Sequence, residues 1–320
     1  MKIITKIASR SAFPKTWLGL GLATFLAGGI SAIRASENVP HRPFAYWADV
    51  PEPGQFIGGL VYEESEAYRI WTGNQMHTIT VRASGESYGI DINQGYLALQ
   101  YGVTRKWAVD LNIGATTMGT RSFNANNSIT STTGLMDWSV GVRYQILNES
   151  ETESAWVPTL TFRAGGVLPG TYSQGIAFAP GVRSAGIEPE FLMRKHFGWT
   201  GLGAYADALF RWNRTTGNDQ YFTVIGLFQQ INGWELDAGY RHFQTISGHD
   251  ITLNDDGSID YPRDVREISD SIEAGFSYTT SKRQFRYGFH SRTVFDGNNT
   301  DRKFWIGASI DIPLGGRHEN

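Results

Sequence analysis

Residues 95–116, GYLALQYGVTRKWAVDLNIGAT, alternate apolar and polar or small side chains almost without a slip. Trp107, Val109, Leu111, Ile113 and Ala115 fall on one face, and Ala108, Asp110, Asn112, Gly114 and Thr116 on the other. The stretch before them sets Leu97, Leu99 and Tyr101 against Tyr96, Ala98, Gln100 and Gly102. Successive side chains of a strand point to opposite sheet faces, so both halves read as strands with one apolar face. Residues 102–106, GVTRK, are short and polar enough to turn tightly between them. The unit is an amphipathic β-hairpin, and its recurrence limits what the chain can become.

The same pattern returns along the chain. Residues 136–147 set Trp138, Val140, Val142, Tyr144 and Ile146 against Asp137, Ser139, Gly141, Arg143 and Gln145. Further alternating runs fall at residues 158–165, 187–194, 202–212, 234–241, 268–278, 285–292 and 304–312. Residues 55–62 and 77–83 are also strand-like, with an acidic piece between them that blurs the register. Residues 221–231 are apolar on both faces and carry no orientation. No long helical periodicity follows the N-terminal leader.

Short connections fall near residues 103–106, 148–154, 197–199, 231–233 and 280–283. Long polar ones fall near residues 119–134, 167–185, 244–266 and, shorter than its peers, 296–301. Tight turns at one end and long loops at the other are the pattern of an antiparallel up-and-down transmembrane β-barrel, all-β, with short periplasmic turns and long external loops. Five hairpins plus a first and a last strand give about 12 strands, with 14 as the alternative if residues before 84 supply more. A soluble sandwich would bury its apolar faces and put lysine and glutamate outside. Here the polar faces carry glycine, alanine, serine and charges of both signs, as an enclosed lumen would. Trp107, Trp138, Trp156, Trp212, Trp234 and Phe304 stand near strand ends, where an interfacial girdle belongs.

The N-terminus supports the same reading. Lys2, Lys6, Arg10 and Lys15 precede the apolar run at residues 17–30, which is short for a helical span and reads as a secretory signal peptide over residues 1–35. Candidate cleavage points follow Ala32 or Ala35. The chain has no cysteine, which excludes disulfides, thiolate metal sites, cysteine nucleophiles and a lipoprotein anchor. Residues 36–54, with Pro40, Pro43, Pro51 and Pro53, form a periplasmic lead-in or a plug, and residues 55–320 form the barrel. A net charge of −3 gives no field suited to nucleic acid.

Three segments bear a family likeness. Residues 101–107, YGVTRKW, resemble the YGLT(D/E)(R/K) turn of the meta-pathway of phenol degradation family of outer-membrane proteins, related to fatty-acid-transporter-like barrels. Residues 134–144, GLMDWSVGVRY, resemble its GLGDLSLGLKY strand, and residues 165–170, GGVLPG, its G-x-x-L-P-T-G segment, with Gly170 in place of threonine. The likeness is specific over residues 96–170 and diffuse beyond. It implies a channel for small, often hydrophobic or aromatic compounds. Barrels of this kind usually end on an aromatic residue, whereas this chain continues past Ile312 with PLGGRHEN.

Signals for chemistry are sparse. Gly85-Glu86-Ser87-Tyr88-Gly89 matches the nucleophile-elbow spacing, but no helix follows it, as that turn requires. None of the seven histidines is paired recognisably with a serine and an acid. The acidic loop at residues 254–260 lacks the glycine placement and terminal glutamate of an EF-hand. No enzyme, metal or cofactor is expected. The lumen-facing charges are Asp110, Asp137, Arg143, Arg163, Glu188, Glu190, Arg194, Asp207, Arg211, Glu235, Asp237, Arg241, Glu273, Arg286 and Arg292. Bare charges in a narrow barrel are costly, so these should pair across strands. The network either fills the barrel structurally or also lines a permeation path and sets its selectivity. The expected function is passive diffusion of small hydrophobic or aromatic molecules through the outer membrane of a Gram-negative cell. The expected partners are outer-membrane lipid, the permeant and the barrel-assembly machinery. The alternatives are a plugged structural or adhesive barrel and, third, an outer-membrane lipid hydrolase.

Overall fold

The computed structural model describes residues 47–78, 89–120, 131–152, 154–172, 181–198, 200–214, 218–253, 259–260, 262 and 264–315. The segment expected to be a signal peptide, and most of the expected lead-in, lie outside these residues. In chain order the strands are β1 (Gln55–Thr72), β2 (Gln75–Thr78), β3 (Ile90–Gly102), β4 (Trp107–Thr120), β5 (Ser131–Leu135) and β6 (Trp138–Leu147). They continue as β7 (Thr159–Leu168), β8 (Gly186–His196), β9 (Leu202–Asn213), β10 (Gln220–Ile231) and β11 (Trp234–Thr245). Next come β12 (Thr252–Leu253), β13 (Ile259–Asp260), β14 (Ile268–Thr279), β15 (Arg286–Asn298) and β16 (Asp301–Gly315).

Twelve of these strands form a closed antiparallel barrel. Neighbours follow the chain from β3 to β16, leaving aside four short strands, and β1 lies between β3 and β16. The seam pairs Gln55 with Gly315 and Glu66 with Phe304. An even strand number makes first and last strands antiparallel, and closure leaves no open edge to satisfy within lipid. The strands that close the ring are 10–18 residues long, enough to cross a bilayer when tilted, which takes about 9–11. Of the short strands, β2 folds back antiparallel on the end of β1, β5 pairs with β4, and β12 pairs with β13 in a separate sheet.

Five connections at one end are short: residues 103–106, 148–158, 197–201, 232–233 and 280–285. The opposite end carries longer ones, with two exceptions. Only six residues, 214–219, join β9 to β10, and residues 299–300 alone join β15 to β16. Asn299 adopts φ +52, and its side chain bonds Gly73 N at 2.7 Å and Ile251 N at 3.0 Å, so that turn is locked under the loops beside it.

The faces are inverted relative to a soluble protein. Large apolar side chains such as Leu60, Val140, Leu227, Ile272 and Phe289 are exposed, while arginines and carboxylates are buried. Burial of about 25 cal/mol per Å² favours such a surface only where a non-aqueous phase covers it, so the outer wall is a lipid-facing one. Aromatics mark both ends of that wall. Trp107 stacks on Tyr144 at 4.6 Å and Trp234 on Tyr278 at 4.9 Å at the short-turn end. Phe210 and Trp212, at 4.6 Å, and Tyr240 with Phe295 hold the other end. β10, which the sequence leaves unoriented, turns Phe222, Val224 and Phe228 inward.

Candidate functional site: the barrel interior

The inside of the barrel holds two polar groups and an apolar cluster. One polar group, across β4, β6, β7, β8 and β9, is built on Arg163. Its Nε lies 2.9 Å from both oxygens of Asp110, and its Nη1 is 2.7 Å from Glu188 Oε1 and 3.5 Å from Glu190 Oε2. Nη2 donates to Ser139 Oγ at 3.0 Å. Arg211 holds the other Glu188 oxygen at 2.9 Å, and Arg143 reaches Gln100 Oε1 at 3.2 Å. Glycine makes room for this cluster. A Cβ at Gly141 would stand 2.6 Å from Arg163 Nε, and one at Gly165 2.6 Å from its Nη1. The alternating glycines of the polar faces are therefore the floor on which large inward side chains lie.

A second polar group spans β11, β14, β15, β16, β1 and β3. Arg286 pairs with Glu235, Arg241 with Glu273 at 3.1 Å, and His290 Nε2 with Glu63 Oε1 at 2.9 Å. Gln94 donates to Glu63 at 3.1 Å, and Arg292 lies over the Trp305 ring at 5.0 Å. Glu63 and His290 were not picked out by sequence reasoning. The acidic run in β1 hid the first, and a histidine without a sequence partner hid the second.

Fourteen of the fifteen charges expected to face the lumen are buried on barrel strands. Asp137 is placed differently. It precedes β6 and organises a loop, accepting from Gly170 N at 2.8 Å, Arg183 N at 3.0 Å and Tyr172 Oη at 3.2 Å. A charged residue one step before the strand keeps the alternation phase while lying outside the wall, so periodicity does not reveal the difference.

Among the inward charges of β8 to β11 lies an apolar cluster. Leu192, Tyr205, Leu209, Phe222, Val224, Phe228 and Phe243 are its buried members on these strands. Tyr205 lies over Gly226 and Gly239, where a Cβ would come within 2.2 and 2.3 Å, and Phe228 covers Gly203. The same cluster includes Trp47 and Ala48 from the segment before β1. Thr161 Oγ1 donates to Ala48 O, Arg143 Nη1 reaches Asp49 O at 3.5 Å, and Arg194 Nη1 lies 2.5 Å from Asp49 Oδ2. Residues 47–49 thus lie inside the barrel.

A cavity of about 1220 Å³ opens at the short-turn end beside this segment, with Asp49, Glu52, Arg105, Glu149, Arg194 and His196 on its wall. Glu149 gathers Arg194 at 3.2 Å, Lys195 at 3.1 Å and His196 Nδ1 at 2.6 Å. Burial pushes its carboxyl up, but the hydrogen bonds and charge of His196, with Lys195, outweigh that and hold it down to about 2.

Elsewhere, two other histidines join carboxylates. His242 Nδ1 and Tyr240 Oη both lie 2.5 Å from Asp270 Oδ1 on the outer face, and His249 pairs with Asp264 at 3.0 Å. Among the described residues, no group of three or more histidines and carboxylates is arranged to hold a metal ion. Most of the nucleophile-elbow match and of the acidic 254–260 loop falls outside the described residues.

No protein-family model and no curated protein matches this chain. The fold is similar to that of the COG4313 outer-membrane channel from Pseudomonas putida F1, at a TM-score of 0.65 and 14% identity, covering 86% of this chain and 100% of that one. The TodX monoaromatic hydrocarbon channel in its deltaS2 form aligns at 0.43 and 10% identity over 88% and 95%, too distant to argue from. The protein is an outer-membrane-type β-barrel of twelve strands.

Proposed function

We propose that this barrel is a channel in the outer membrane of a Gram-negative cell and carries small hydrophobic or aromatic molecules by passive diffusion. The observation that supports it most is the apolar cluster of β8 to β11, seven inward side chains beside the Arg163 ion pairs. A hydrophobic solute gains by leaving water for such a cluster, and the buried ion pairs beside it hold the barrel's cross-section. In this reading the short turns are periplasmic, the long loops external, and the charges on the barrel strands shape the path. The barrel-assembly machinery and outer-membrane lipid are its partners, and no catalytic step is assigned. Uptake of radiolabelled toluene, benzoate and a sugar into vesicles tests this. Faster entry of the two aromatics than in empty vesicles, with the sugar excluded, is expected. Equal entry with and without protein overturns it. A second reading, a plugged structural or adhesive barrel, draws on the dense filling of the interior, where Arg143, Arg163, Phe222 and Trp305 are all fully buried. It predicts no uptake of any solute.

A further inference from the structure

The segment that enters the barrel carries, two residues apart, an indole and a carboxylate. Trp47 joins the buried cluster containing Tyr205 and Phe228, while Asp49 sits on Arg194 at 2.5 Å. Arg194 stands beside the apolar cluster. It shares the inner face of β8 with Leu192 and pairs in register with Tyr205 of β9. Its guanidinium also faces the cavity at the short-turn end, so a solute reaches the Asp49–Arg194 pair from that mouth without crossing the barrel. The segment is held by the bonds to Ala48 O and Asp49 O already described and by Gly54 N to Gly102 O at 2.8 Å, and it turns into β1 through Gly54 at φ +79.

We propose that this cleft is a binding site for aromatic monocarboxylates, and that Trp47 and Asp49 occupy it as an intramolecular stand-in. The proposal deepens the channel reading by naming a substrate class for the same interior. The chemistry asks for both halves at once. An aryl carboxylate places its ring where the indole lies, against Tyr205 and Phe228. Its carboxylate takes the place of Asp49 on Arg194 Nη1, while Nη2 stays on Glu149. Ring and charge then come in one small rigid molecule, which loses less freedom than a chain segment does. A neutral arene satisfies only the ring half, and acetate only the charge half. A ligand must displace the segment first, so its apparent affinity is lowered by the fraction of molecules in which the segment is seated.

The test is calorimetric titration of the refolded full chain in detergent with indole-3-acetate, indole and acetate. Trp47→Ala combined with Asp49→Ala removes both side chains from the cleft and leaves Tyr205, Phe228 and Arg194 in place. That variant should bind indole-3-acetate about tenfold more tightly than the native chain, or better, as expected if the segment is seated nine-tenths of the time or more. Adding Arg194→Gln to it should cut the preference for indole-3-acetate over indole roughly ten- to a hundredfold, the worth of a charged hydrogen bond. Equal binding by native and emptied chains, or a preference untouched by Arg194→Gln, overturns the proposal. Should Arg194→Gln fail to fold, as judged by loss of heat-modifiable gel mobility, the native chain labelled with 5-fluorotryptophan keeps the test open. The Trp47 resonance, assigned by Trp47→Phe, should move on adding indole-3-acetate and stay put with acetate. Binding that leaves it unmoved refutes displacement. Tight binding without vesicle uptake sinks the channel reading and leaves this site standing, whereas aromatic uptake with unaltered binding in the emptied variant sinks this site alone.

Discussion

Arg163 shows what a buried charge does in this interior. Three carboxylates, Asp110, Glu188 and Glu190, converge on one guanidinium that is 2% exposed. Removing a single acid leaves the arginine paired, but removing the arginine leaves acids crowded in a low-dielectric space. Arg163→Met should therefore cost about 3–5 kcal/mol, the usual loss when one partner of a buried pair goes, and Asp110→Asn distinctly less. Urea unfolding of the barrel in lipid vesicles measures both, and equal costs would remove the hub role from Arg163. The turn residue Glu149 makes a pH-dependent statement. Its folded value of about 2 lies below its ordinary 4.5, so its contribution is complete above 4.5 and is lost as pH falls through about 2. Native protein should lose stability across that window while Glu149→Gln stays flat by comparison, as read by thermal melting at stepped pH.

Hairpins are the elements that carry the register, and the β10–β11 turn is the most demanding. Asn232 and Gly233 both have positive φ, +50 and +85, which matches a type I′ turn and the twist of the flanking strands. Gly233→Ala adds a Cβ in the left-handed region at about 1–2 kcal/mol, and Asn232→Ala removes a side chain that tolerates it better than alanine does. The Asn232→Ala, Gly233→Ala variant should fold more slowly and be less stable by that order in a kinetic refolding assay, with the interior otherwise unchanged. Elements such as this were legible in the sequence. Asn-Gly between alternating runs announces a hairpin, and β4, β6 and β11 show their faces directly. β10 was not legible, because its inward Phe222, Val224 and Phe228 pack in the apolar interior cluster while its outward face meets lipid, so both faces select the same residue types. β1 was obscure for the opposite reason, since Glu64 and Glu66 point outward near the long-loop end and break the apolar stripe. The filled interior could not be read either. Alternation says which side chains point inward but not that Tyr205 lies over Gly226, nor that residues 47–49 return into the barrel.

For the whole molecule the decisive property is the inversion of its surface, and it can be mapped by charge. Leu227 is 48% exposed midway along β10, in register with Ala204 on one side and Ala238 on the other. Glu66 stands outward on β1 near the long-loop end, four residues beyond the outward Tyr62. If lipid covers the wall between the aromatic bands, an arginine at position 227 must be drawn into hydrocarbon or distort the bilayer. Leu227→Arg should then cost about 2–4 kcal/mol, whereas Glu66→Arg, at the interface, should cost about 0–1. Unfolding titrations in vesicles of defined thickness read the difference, and thinner vesicles should shrink the cost at 227 while leaving that at 66 alone. In water a soluble protein would show the reverse order, since Leu227→Arg would only improve its surface. A flat response at both positions would mean that the exposed apolar wall is covered by something other than a bilayer. The ion-paired interior, which needs no lipid to explain it, would then be the core of a different kind of assembly.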